Sequence, residues 1–155
     1  MAAQAADTEE FEEELRSALV CEDNAELKSA VSAALEGLKY SMEFATNADN
    51  AFEKLRFNQY NLIVLNESFG GNVENNAVYS FLTTMPMSTR RHIFLALIGK
   101  NFKTADNMTA FTKSANIVVN EQDLPNLKAI LKKSVADNNQ FYKVFRESLV
   151  KMGKK

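Results

Sequence analysis

Short unbroken apolar runs alternate along this chain with longer segments whose apolar residues recur every three or four positions. Ala18-Leu19-Val20-Cys21, Leu62-Ile63-Val64-Leu65, Ile93 through Ile98 and Ile117-Val118-Val119 are runs of the first kind, and each stops at a polar residue or at Gly99. Runs this short with no polar face predict strands buried on both sides. Ser41 to Ala45 alternates and predicts one more short strand. Between these runs, Leu27, Ala30, Val31, Ala34, Leu35 and Leu38 keep helical spacing up to Tyr40, with Asn24 as the N-cap. Asn47 caps a helix carrying Ala51, Phe52 and Leu55 that ends at Asn58 or Tyr60, and Ala77, Val78, Phe81 and Leu82 predict a third from about Glu74 to Thr83. Thr104 caps a short helix with Met108 and Phe111, and Asp123 caps the last, with Leu127, Ile130 and Leu131.

The order is β-α, five times over. Strands that are apolar on both faces need cover on both, so the pattern predicts the α/β class, with a five-stranded parallel sheet doubly wound by helices. In such sheets ligands and chemistry sit at the carboxyl ends of the strands. That directs attention to Glu22, Asp23, Asn66, Glu67, Ile98, Gly99 and Asn120.

Helical patterning resumes beyond Lys133, where Phe141, Val144, Phe145, Leu149 and Met152 form one stripe and Lys143, Lys151 and Lys154 lie off it. The polar patch Asp137-Asn138-Asn139 either allows a bend or merely faces solvent. The chain thus divides into an acidic N-terminal extension (1–16), a folded domain (17–133) and an amphipathic helical extension (134–155). The extension either folds back on its own domain or protrudes, and a protruding stripe needs a partner: a second copy, giving a homodimer, or another protein.

Charge sharpens this division. Twenty acids against eighteen bases give a net charge of −2. Residues 1–16 hold six acids against Arg16, a net of −5, and residues 143–155 hold five bases against Glu147, a net of +4. No basic field exists for nucleic acid. A chain 46% hydrophobic and 25% charged is an ordinary globular composition, not a disordered or disulfide-stapled one. The one cysteine, Cys21, cannot form an internal disulfide and fits a reducing compartment. No apolar run approaches the roughly 18 residues of a membrane span, and no leader pattern opens the chain, so a cytoplasmic location is expected.

Three strand ends resemble the receiver domain of response regulators. Ala18 through Asn24 is similar to the receiver's opening strand with its acidic pair, Tyr60 through Asn66 to the strand that ends on the phosphorylated Asp, and Asn116 through Asn120 to the strand that ends on a Lys. The resemblance implies a flavodoxin-like (βα)5 fold with an extended C-terminal helix, and it covers residues 17–133. It places Glu22 and Asp23 on the pair that holds a divalent cation, Asn66 on the phosphoacceptor, Asn120 on the Lys, and Ile117 on the aromatic switch position. An amide has no anionic oxygen to attack phosphorus. Asn120 brings no ammonium to neutralise a phosphoryl group. No hydroxyl lies between His92 and Phe102 to serve as the switch Thr or Ser.

The expected function is therefore that of a pseudo-receiver: a non-phosphorylatable protein-protein interaction module in bacterial two-component signalling, with no enzymatic activity, whose degenerate pocket comprises Glu22, Asp23, Asn66, Ile98, Gly99 and Asn120. No cofactor is expected; Mg²⁺ on Glu22 and Asp23 is weakened by the missing third carboxylate. The partner is a signalling protein, met by the fourth helix, fifth strand and fifth helix, with Phe102, Phe141, Phe145 and Leu149 as candidate anchors, Phe102 being equally open to burial against the fourth helix. The alternative is an atypical phosphorelay receiver that binds Mg²⁺ and accepts phosphate on Glu22, Asp23 or Glu67. Other signals have plainer readings. Glu67 is expected to be a solvated loop residue, and Cys21 an inert buried thiol. His92 has no companion ligand, and Gly99-Lys100-Asn101-Phe102-Lys103-Thr104 lacks the spacing of a phosphate loop.

Overall fold

The computed structural model describes residues 16–71 and 73–151, without the side chains of Tyr142, Arg146, Leu149 and Val150. The acidic extension before Arg16, Met152 and Lys154 of the C-terminal pattern, and the side chain of Leu149 fall outside this description. Five strands, β1 (Ser17–Cys21), β2 (Ser41–Phe44), β3 (Leu62–Asn66), β4 (Phe94–Gly99) and β5 (Ile117–Asn120), form one sheet in the order β2-β1-β3-β4-β5, with every pairing parallel. The helices are α1 (Ala25–Gly37), α2 (Ala48–Phe57), α3 (Ala77–Thr83), α4 (Asn107–Thr112) and α5 (Leu127–Lys151), with a single helical turn at Met87–Arg90 and a 3₁₀ segment at Glu121–Asn126. This is the expected α/β sheet.

Alternation along each strand divides the core into two layers. Ala18, Val20, Leu62, Val64 and Ala96 face α1 and α5, where Val31, Leu35, Leu127 and Leu131 cover them. Leu19, Cys21, Ile63, Leu65, Leu95 and Leu97 face the other way, onto Ala51, Val78, Leu82 and Ala110. Because the chain leaves β1 toward β2 on one side and returns to β3 on the other, the carboxyl ends of β1 and β3 flank the point where strand order reverses, the usual place for a crevice.

Helix ends depart from the sequence reading in several places. Asn24 and Asn47 cap α1 and α2 as expected, Asn24 Oδ1 accepting from the amides of Glu26 at 2.9 Å and Leu27 at 3.1 Å. Helix α1 stops at Gly37, and Lys39 takes a positive φ of 65° before the buried Tyr40. The third helix begins at Ala77, not Glu74, because Asn76 supplies the cap. Asp106, not Thr104, caps α4, since the Thr104 hydroxyl donates to Asp123. Asp123 therefore does not cap the last helix. Asn120 opens the 3₁₀ segment and Pro125 lies inside it, so α5 starts at Leu127.

Helix α5 then runs 25 residues without a break at Asp137-Asn138-Asn139. At 1.5 Å per residue it is about 37 Å long. Among the described residues Val135 is its last apolar side chain packed on the core. Asn138 Oδ1 accepts from Asn116 Nδ2 at 3.4 Å, beside the start of β5, so the rest of the helix continues past the amino edge of the sheet. There Phe141 (66% exposed), Val144 (53%) and Phe145 (42%) meet solvent. Among the described residues no helix is long and apolar enough to cross a membrane.

Candidate functional site

At the strand-order reversal, Asn66 closes β3 as a buried polar residue, and Glu22, also buried, follows β1. The Asn66 amide nitrogen donates to Glu22 Oε1 at 2.7 Å and to Glu121 Oε1 at 2.9 Å. Its oxygen accepts from the Ser68 amide at 2.9 Å and the Ser68 hydroxyl at 2.8 Å. A backbone N–H can only donate, so the contact with Ser68 fixes which way the amide faces. Every hydrogen-bonding valence of Asn66 is thus used inside the protein. Glu22 Oε2 also accepts from the Asn24 amide at 3.2 Å. Burial raises the Glu22 carboxyl above the usual carboxylate range, against the lowering effect of hydrogen bonds from Asn66 and from the backbone of Asn24 and Asp23, and the charge of Glu121 adds to the rise.

Asn120 does not join this cluster. Its amide nitrogen donates to the carbonyls of Lys100 at 3.1 Å and Phe102 at 2.7 Å, and its oxygen accepts from Gln122 N at 2.9 Å. It pins the loop between β4 and α4, while its neighbour Glu121 swings to Asn66. Ile98 and Gly99 are buried at the end of β4, Ile98 in register with Asn66. A Cβ on Gly99 would lie 2.6 Å from Glu67 Oε1 and 2.8 Å from Phe102 Cε2, so no larger side chain fits there as the structure stands. Of the two readings of Phe102, exposed anchor or burial, the structure has burial, in the loop and within the core layer of α2, α3 and α4. The bare Gly99 leaves the gap that its ring fills. Ile117 is a core residue packed with the α1 and α5 layer.

Glu67 is also drawn in from solvent. With Val73, Asn76, Tyr79, Leu97 and Lys113 it lines a small cavity of about 30 Å³. Burial raises its carboxyl, opposed by the charge of Lys113 and reinforced by that of Glu121. Buried Asn76 donates to the carbonyls of Asn66 at 3.2 Å and Glu67 at 2.9 Å while it caps α3 through Tyr79 N at 3.0 Å. Sequence reading missed Glu121, Ser68 and Asn76. Glu121 was within reach of it, since the rule that selected Asn120 applies equally to the next residue at the same strand end.

The resemblance to receiver domains implies a divalent cation on the carboxylates after β1. A hard cation prefers oxygen, yet Asn66 presents N–H to Glu22. The Asp23 carboxylate turns to the Gly70 amide, Oδ2 accepting at 2.9 Å. Among the described residues no three His, Cys, Asp or Glu side chains are grouped to hold a metal ion. As arranged, the residues do not fit the cation.

No protein-family model matches the chain, and no curated protein sequence does. Solved structures do match its shape. NtrX from Brucella abortus, in complex with ADP, aligns at a TM-score of 0.66 and 14% identity over 90% of this chain, which spans only 30% of that protein. A response regulator from Thermotoga maritima aligns at 0.60 and 17% identity, over 78% of this chain and 98% of the other. The signal receiver domain of a DNA-binding response regulator from Colwellia psychrerythraea 34H gives 0.60, 16% identity, 78% and 98%. With the strand order, the two-sided helical cover and the crevice between β1 and β3, these likenesses show that the chain has the fold of response-regulator receiver domains.

Proposed function

We propose that this chain is a pseudo-receiver, a cytoplasmic protein-protein interaction module of bacterial signalling that does not accept a phosphoryl group and has no enzymatic activity. The observation that carries the reading is the state of Asn66. The amide at the β3 end has no nucleophilic anion, its valences are filled by Glu22, Glu121 and Ser68, and two carboxylates stand where an incoming phosphoryl group would need positive charge. On this reading the site works without a divalent cation. Exposed Met108 and Phe111 on α4 support a signalling-protein partner on the face of α4, β5 and α5.

The test is incubation of the chain with acetyl phosphate and Mg²⁺, read by intact mass, beside a beryllofluoride titration followed by NMR. Neither a phosphoryl adduct nor Mg²⁺-dependent shifts around Asn66 are expected. Saturable modification that maps to Glu22, Asp23 or Glu67 would establish the atypical phosphorelay reading in its place.

A further inference from the structure

The cavity of about 30 Å³ beside Glu67 lies over Leu97 of β4, between the loop after β3, the first turn of α3 and the end of α4. Leu97, 1% exposed, gives it an apolar floor, and Val73, 53% exposed, stands on its solvent side. Most polar atoms in its wall are already satisfied. Asn76 commits its amide nitrogen to the carbonyls of Asn66 and Glu67 and its oxygen to Tyr79 N. The Tyr79 hydroxyl donates to the Lys113 carbonyl at 2.7 Å. Two groups remain to meet a ligand, the Glu67 carboxylate and the Lys113 ammonium. The charge of Lys113 acts on Glu67, yet among the described residues the two do not close to an ion pair, and neither side chain has a hydrogen bond.

A group that bridges these two must donate to one and accept from the other. A carboxylate would set like charge against Glu67, and an ammonium or guanidinium would set like charge against Lys113. A neutral primary carboxamide satisfies both: its NH₂ donates to the carboxylate while its oxygen accepts from the ammonium. Size agrees. One water needs about 10–15 Å³ of cavity, so this one takes about two to three non-hydrogen atoms, the size of a carboxamide head. A free molecule of so few atoms binds weakly, because affinity is bounded per non-hydrogen atom. A head group carried on a protein arrives with the rest of an interface.

We propose that this cavity is a socket for the carboxamide of an asparagine or glutamine side chain from a protein partner, held between Glu67 and Lys113 with its methylenes leaving past Val73. The proposal rests on the reading of the chain as an interaction module and supplies the chemistry of one contact.

The test titrates the full ¹⁵N-labelled chain at neutral pH with acetamide and with N-acetylglutamine methylamide. Saturable shifts of the Glu67, Asn76, Tyr79 and Lys113 amides are expected for both at millimolar concentration, and none for acetate, methylammonium or methanol. Glu67→Gln and Lys113→Met should each weaken both probes about tenfold or more, as loss of a hydrogen bond to a charged group requires, with the dispersion of each spectrum confirming a folded variant. No saturable shift with either probe overturns the proposal, as do equal shifts with methanol or acetate, or variants that bind as the parent does. Acetamide binding without the glutamine probe also overturns it, because the occupant is then a free amide. A phosphoryl adduct under acetyl phosphate would remove the interaction-module reading and leave these titrations unchanged, so the two failures are told apart.

Discussion

Changing Asn66 to aspartate puts a third carboxylate beside two others. The amide now gives one N–H to Glu22 at 2.7 Å and one to Glu121 at 2.9 Å. A hydrogen bond to a charged group contributes about 1.5–3 kcal/mol, and Asn66→Asp removes both donors. At an effective dielectric of about 20, like charges some 3 Å apart repel by roughly 5–6 kcal/mol. That exceeds the cost of keeping a proton at pH 7, so one carboxyl of the three stays protonated and restores one donor. The net loss at pH 7 is then about 2–4 kcal/mol. For a chain of this length that lowers Tm by roughly 5–15 °C.

The sign of the pH effect follows from the crowding. Burial and the charge of Glu121 already raise the Glu22 carboxyl and a third carboxylate adds to that rise, so stability is fully present below the ordinary carboxylate range and is lost as pH rises through the raised value. The gap between Asn66→Asp and the parent should therefore narrow from pH 7 to pH 5 in thermal or urea melts. Adding Glu121→Lys to Asn66→Asp should recover more stability than Glu121→Lys gives alone, because only then does an ammonium face the new carboxylate. Millimolar Mg²⁺ should raise the Tm of Asn66→Asp and leave the parent unmoved, since only the variant offers oxygen at that point. A variant as stable as its parent at pH 7, a loss independent of pH, or a parent stabilised by Mg²⁺ would each refute the reasoning.

The remaining predictions concern single groups. Burial raises the Glu22 carboxyl, so the parent should lose stability as pH rises from the usual carboxylate range toward neutrality; Tm measured against pH should fall less steeply in Glu22→Gln, whatever its absolute stability. The Cys21 thiol, buried and pushed up to about 12 by desolvation first and by Asp23 second, should not react with an aromatic disulfide in the native chain at pH 8, and should react at the rate of unfolding in urea. Asn76→Ala deletes a helix cap and leaves the carbonyls of Asn66 and Glu67 short of a donor, which should cost about 1–3 kcal/mol in a urea melt.

The strands were legible because each is buried on both faces, and a run such as Leu62-Ile63-Val64-Leu65 has no competing amphipathic reading. Caps were less so. Between Gly99 and Asn107 the chain offers Asn101, Thr104 and Asp106 as candidate caps, and local sequence cannot tell that Asp123, 19 positions on, accepts the hydroxyl of Thr104. The two readings of Phe102 could not be separated for a related reason. Its burial depends on the space over Gly99, which exists only once β4 and the loop after β3 lie side by side. The strand-end rule could have selected Glu121 but not its partner: β5 ends at Asn120, and the 3₁₀ turn that follows sends adjacent side chains to different places, Asn120 to the loop carbonyls and Glu121 to Asn66 across 55 residues.

That last contact changes what the asparagine means. Taken alone, an amide at the β3 end is a side chain without an anionic oxygen. Taken with Glu121, it is the uncharged side chain of aspartate's shape that can donate to two carboxylates at once. An acid at 66 would face the carboxylates of Glu22 and Glu121, and the buried Glu22 needs a donor. The Gly99 end of β4 closes the same region from the other side, because Glu67 and Phe102 occupy the room a hydroxyl-bearing side chain would take. The amide at 66, the two carboxylates it donates to and the bare Gly99 are therefore one packing and charge arrangement.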